Sequence, residues 1–192
     1  MNIRFDSTAC RIVARFVVAL VAAWTMRGVQ AHDMFDALKC DGDVAAALSG
    51  KHTSYEADAV AEKKHANIGL KAEGGEVISD DLNYTAWTMC GGSYHMLERG
   101  NVIRGVVRAD HSRTAPAFLG QCEVNGKPMS GLVLAILKPS SPIEGHPSSN
   151  DHSLIPAERA WRIDEKTARF VETSAGGMMC PRDGVATADG GP

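Results

Sequence analysis

The chain has no C-x-x-C pair, no Gly-x-Ser-x-Gly turn, no phosphate loop and no GxGxxG fingerprint. Isolated cysteines argue against a four-thiolate zinc framework, which brings its ligands in close pairs. The missing turn removes a nucleophile elbow, and the missing glycine loops remove the common cradles for nucleotide phosphates. Asp41-Gly42-Asp43 looks like the start of a calcium loop. The further oxygen ligands and the glutamate of that loop are absent, so these aspartates read as helix caps. No internal repeat of fixed period occurs either.

Positive charge is also in short supply, with 20 Lys+Arg against 23 Asp+Glu. Residues 1–31 hold four of the arginines (Arg4, Arg11, Arg15, Arg27) and one acid, Asp6; without them 16 basic and 22 acidic side chains remain, a net charge of −6 with histidine neutral. Nucleic acids and anionic membranes ask for clustered Lys and Arg, so neither is an expected partner. No later segment is apolar for long enough to span a bilayer, and no cysteine follows the first apolar run to carry a lipid.

The amino terminus follows the export pattern. A basic leader precedes an apolar run from Phe16 to Thr25, and Val29-Gln30-Ala31 offers the small residues of a cleavage site. Residues 1–31 are therefore expected to be a signal peptide, and residues 32–192 a single domain in the periplasm or outside the cell. Cys10 leaves with the leader, and the remaining cysteines, Cys40, Cys90, Cys122 and Cys180, are expected to form disulfides. The preferred pairing joins Cys90 to Cys122 inside the sheet and Cys40 to Cys180 across the ends, each bond contributing roughly 3 to 5 kcal/mol.

Patterning along the chain gives the elements. Val44 to Leu48 favours helix, with Asp43 or Asp41 as cap and Gly50 as stop. Thr53-Ser54-Tyr55-Glu56 fits a capping box opening a second helix that runs to about His65. Alternation at Ile68, Leu70 and Ala72, then Gly74-Gly75, then Val77-Ile78 predicts strand, tight turn and strand.

The apolar stretch from Asn83 to Leu137 is the expected sheet core. Tyr84, Ala86, Thr88 and Cys90 alternate with Thr85, Trp87 and Met89 before the Gly91-Gly92 turn, and Trp87 and Trp161 are assigned to the core. Asn125-Gly126 marks a hairpin between Phe118–Val124 and Lys127–Leu137, with the unbroken apolar run from Gly131 covered on both faces. Residues 139–156 read as a long surface loop, Ala160–Asp164 and Ala168–Glu172 as a last hairpin, and residues 187–192 as a frayed tail. Together these predict an α+β domain, with short amino-terminal helices packed on an antiparallel β-sheet of about six to eight strands.

The functional reading is a non-enzymatic exported binding protein for an unidentified protein or small-molecule partner, met by the 139–156 loop and the turn at Gly91. A second reading is copper. Cleavage after Ala31 would expose His32, whose amino group and imidazole chelate copper(II), with His95 or His111 as a further ligand. A third is a hydrolase with Cys90 as thiol nucleophile and His95 as base. His146 and His152, flanking Asp151, sit on the long loop, and Met178-Met179 reads as core filling.

Overall fold

The computed structural model describes residues 33–53, 57–112, 114–139 and 154–181. The expected signal peptide, His32, His146, Asp151, His152 and the 187–192 tail lie outside them, as does most of the 139–156 loop. Residues 154–156 of that span are not loop; they open a long strand.

Two short helices come first. α1 (Val44–Leu48) starts where the Asp43 carboxylate accepts the Ala46 N–H at 3.0 Å, as its sequence predicts. α2 (Asp58–Lys64) does not use the expected capping box; Ala57 caps it without a side-chain hydrogen bond. The reason lies in the preceding segment. Thr53 N–H is held by the Asn101 carbonyl at 2.9 Å, Lys51 and Ile103 share a backbone bond, and His52 bridges Val102. Residues 51–53 are thus committed to a strand edge, and helix geometry begins later. A 3₁₀ turn, Ala66–Ile68, follows.

β1 (Lys71–Ser79), β2 (Leu82–Met89), β3 (Gly92–Arg99) and β4 (Val102–Arg108) form a four-stranded antiparallel sheet in sequence order. The expected turn at Gly74-Gly75 is instead an irregularity within one continuous strand, the register slipping between Ala72 and Gly74. A Cβ on Gly75 would sit 2.9 Å from the Tyr84 carbonyl oxygen, so these glycines let β1 lie close on β2 rather than reverse the chain. Reversal falls at Asp80-Asp81. Between β2 and β3 the turn residues are Cys90 and Gly91, both with positive φ (51° and 69°), which suits a two-residue hairpin.

The second sheet contains seven strands: β5 (Ala117–Gly120), β6 (Glu123–Val124), β7 (Lys127–Pro128), β8 (Val133–Leu137), β9 (Leu154–Asp164), β10 (Arg169–Thr173) and β11 (Met178–Pro181). Their order is β5-β8-β9-β11-β6-β7, with β10 also on β9. The Asn125-Gly126 hairpin is present but interrupted, β6 pairing β7 beside the turn and β5 pairing β8 further out. β8 is buried at every position, as the unbroken apolar run predicts. β9 and β10 form the expected last hairpin, its turn fastened by the Asp164 carboxylate to Lys166 N–H and the Thr167 hydroxyl.

Three buried clusters follow from period-2 alternation. Trp87, Met89, Tyr94 and Met96 meet Val44, Leu48, Ala61 and Phe35 on the helical side of the first sheet. Leu82, Tyr84, Ala86 and Leu97 face Leu134, Ile136, Trp161 and Ile163 of the second sheet. Phe118, Val133, Ala135, Leu137 and Met178 fill the far side of that second sheet. The fold is therefore rich in antiparallel strand with few helices, and two sheets replace the single sheet expected from sequence.

Both disulfides form, but the preferred pairing is corrected: Cys40 bonds Cys90, and Cys122 bonds Cys180. Cys90 lies with the helical-side cluster, whereas Cys122 and Cys180 lie in the far cluster. Two layers of strands separate Cys90 from Cys122, so each bond closes within its own layer.

The two sheets approach each other closely at Gly105. A Cβ there would lie 2.8 Å from the Ala168 carbonyl oxygen and 3.2 Å from the Arg169 Cα. Gly105→Ala should therefore destabilise the protein by about 1–3 kcal/mol through overpacking against backbone that cannot yield. Urea denaturation checks this, and an unchanged midpoint would show that the sheets can part without loss.

Candidate ligand cavity

Where β1 carries its paired glycines, the space between the sheets stays open. A cavity of about 100 Å³ is framed by Gly74-Gly75 of β1, Tyr84 and Ala86 of β2, His95 of β3, His111 after β4, and Ala117 and Leu119 of β5. Small residues at three of these places leave the volume unfilled. Glu73 and Glu76, also on β1, contribute carboxylates to its lining.

Its polar floor is a buried pair. Tyr84 stacks on His95 with ring centroids 5.9 Å apart, and the tyrosine oxygen lies 2.6 Å from His95 Nδ1. The other ring nitrogen, Nε2, lies 3.2 Å from the Ala109 carbonyl oxygen. A carbonyl only accepts, so Nε2 carries the proton and Nδ1 accepts the hydrogen of Tyr84. Both groups stay neutral. Burial lowers His95 to about 4, reinforced by His111 and opposed by the Ala109 carbonyl and Asp110. Burial, and then the Glu76 carboxylate, push the Tyr84 hydroxyl well above its ordinary value.

His111 completes the floor at 5.6 Å from the His95 ring, and its Nδ1 is shielded from solvent without a hydrogen-bond partner among the described residues. The structure thus brings together His95 and His111, both singled out by sequence. It adds Tyr84, Glu73 and Glu76, which sequence reasoning did not select. Tyr84 carried a signal: with Cys90-Gly91 as the turn, it pairs directly with Leu97 and stands diagonal to His95 on the same face.

Cys90 holds no free thiol, being bonded to Cys40, and it belongs to the opposite side of the sheet from His95. The thiol-nucleophile reading is therefore withdrawn. For copper, both His95 nitrogens are engaged in hydrogen bonds, while His111 Nδ1 is not.

A second polar cluster lies near the start of the described chain. Asp33, Asp36 and His65 bring ligand atoms within 4.8 Å of one another. The Lys64 ammonium already bridges both carboxylates, at 3.2 and 2.9 Å, and His65 Nε2 meets Asp33 at 2.8 Å. Burial raises Asp33, but hydrogen bonds from Phe35 N–H, His65 and Lys64 outweigh it and hold the carboxyl below its ordinary range. Its cationic partner is supplied by the fold, so the cluster reads as a clamp between the first described turn and α2.

No family model, curated protein or solved structure matches this chain, so the case for function rests on the cavity's own chemistry.

Proposed function

We propose that this chain is an exported, non-enzymatic binding protein that takes a small ligand in the cavity between its two sheets. The single observation behind this reading is the buried Tyr84–His95 pair, whose tautomer and orientation are fixed beside an unfilled volume and an unpartnered His111 nitrogen. Concave sites with a few converging polar groups in an apolar wall are where small ligands bind. Both disulfides accord with an oxidising compartment, the periplasm or the cell exterior. No helix among the described residues is long and apolar enough to cross a membrane.

The test is an amide-resolved NMR screen against a panel of small polar metabolites. Shifts at Gly75, Tyr84, Ala86 and Leu119 in the wild type, lost when Ala86→Leu or Ala117→Leu fills the cavity, are the expected result. Shifts confined to other surfaces, or no response from any member of the panel, would overturn the proposal.

Copper through His32 with His95 or His111 is the second reading, favoured by one observation, the unpartnered His111 Nδ1 beside His95. Loading through His95 would require that ring to give up one of two buried hydrogen bonds, whereas loading through His111 would not. Copper(II) titration followed by electron paramagnetic resonance decides it, since a nitrogen-coordinated signal that survives His111→Ala would remove His111 from the site.

A further inference from the structure

Resting on the cavity reading above, we infer that the ligand is a small organic cation, an alkylammonium of a few heavy atoms. The floor points that way first. His95 Nε2–H is spent on the Ala109 carbonyl and the Tyr84 hydrogen is spent on His95 Nδ1. What remains at the Tyr84 oxygen is a lone pair, so the buried pair can accept a hydrogen bond from a ligand but has no hydrogen left to donate. His111 Nδ1, without a partner, offers a second lone pair when Nε2 carries that ring's proton.

Charge points the same way. Among the described residues, the charged side chains lining the cavity are Glu73 and Glu76, and no lysine or arginine lines it. Glu73 accepts the Thr88 hydroxyl at 2.8 Å with one oxygen, which leaves the other oxygen for a ligand. Neither glutamate is ion-paired with lysine or arginine among the described residues, unlike Asp33, Asp36, Asp81 and Asp110, each of which is. The Tyr84 ring in the lining adds aromatic surface of the kind that attracts cations. Acceptors, the two glutamate charges and the Tyr84 ring suit an ammonium group; a carboxylate or phosphate would meet the repulsion of both glutamates. A volume of about 100 Å³ admits only a short chain behind that group.

Three probes of similar size separate the alternatives: propylammonium chloride, 1-propanol and sodium propionate, titrated at constant ionic strength against the full exported protein with amide NMR as readout. Ligands this small bind no tighter than about tens of micromolar. Propylammonium should shift the cavity amides and bind at least tenfold more tightly than propanol, with no binding of propionate. Glu73→Gln combined with Glu76→Gln should weaken it about fivefold and remove its salt dependence, as screened charge attraction requires. Ala86→Leu should abolish binding. Equal or tighter cavity binding of propanol or propionate would overturn the cation and leave the cavity standing. No cavity response to any of the three would overturn both.

Discussion

Acidification from pH 6.5 to pH 4 should cost the folded protein about 3 kcal/mol through His95 alone, a loss that falls on the core rather than on the surface. The unfolded chain takes up a proton on this histidine near its ordinary value of 6.5, while burial holds the folded value at about 4. Above pH 6.5 both states are neutral and the full stability is present. Between the two values the unfolded state binds more protons, so stability falls as pH falls, by about 1.4 kcal/mol per pH unit. Below about pH 4 the native ring charges too and the loss levels off. Urea denaturation at several pH values, on wild type and on His95→Gln, isolates the effect. The variant is less stable at neutral pH because it disturbs Tyr84 and Ala109, yet its stability should decline less steeply with acid. Parallel slopes would mean that His95 takes up its proton at the same pH in the folded and unfolded chain, and the neutral, buried ring assigned to the cavity floor would fail with it.

Removal of the Cys122–Cys180 bond should be equally damaging. It closes a separation of 58 residues, for which chain entropy gives about 4 kcal/mol at 25 °C. Both cysteines are buried in the far cluster, so Cys122→Ala with Cys180→Ala also leaves a packing defect there. The Cys40–Cys90 bond spans 50 residues and has a similar entropic value, but Cys40 is exposed and Cys90 half-exposed. Graded reductant under native conditions, followed by maleimide labelling and peptide mass analysis, should open Cys40–Cys90 first and leave Cys122–Cys180 closed until the protein unfolds. Simultaneous opening would show that the far cluster admits reductant in the native state.

Local signals were legible where chemistry at a single position decides. Asp43 capped a helix, Asn125-Gly126 turned a hairpin, and the run from Val133 to Leu137 entered the core. Gly74-Gly75 misled because glycine serves both a reversal and a close strand approach, and only the partner strand distinguishes them. The capping box at Thr53 lost to a non-local bond that Thr53 N–H donates to the Asn101 carbonyl. Disulfide pairing depends on which face of which sheet each cysteine reaches, and one chain of letters does not carry that. The cavity was half visible: His95 and His111 stood out as histidines, while Tyr84, Glu73 and Glu76 acquired meaning only once the strands were in register.

The strand order carries a consequence for biogenesis. The first sheet joins neighbours in sequence, so its hairpins can form as soon as those residues leave the ribosome or an export channel. The second sheet places β11 between β9 and β6, and so waits for nearly the whole described chain. Cys40 therefore meets Cys90 while Cys122 is still without its partner. Early closure of the first bond would take both of its sulfurs out of competition before Cys180 arrives, and amino-to-carboxyl delivery would then favour the native pairing over the other two.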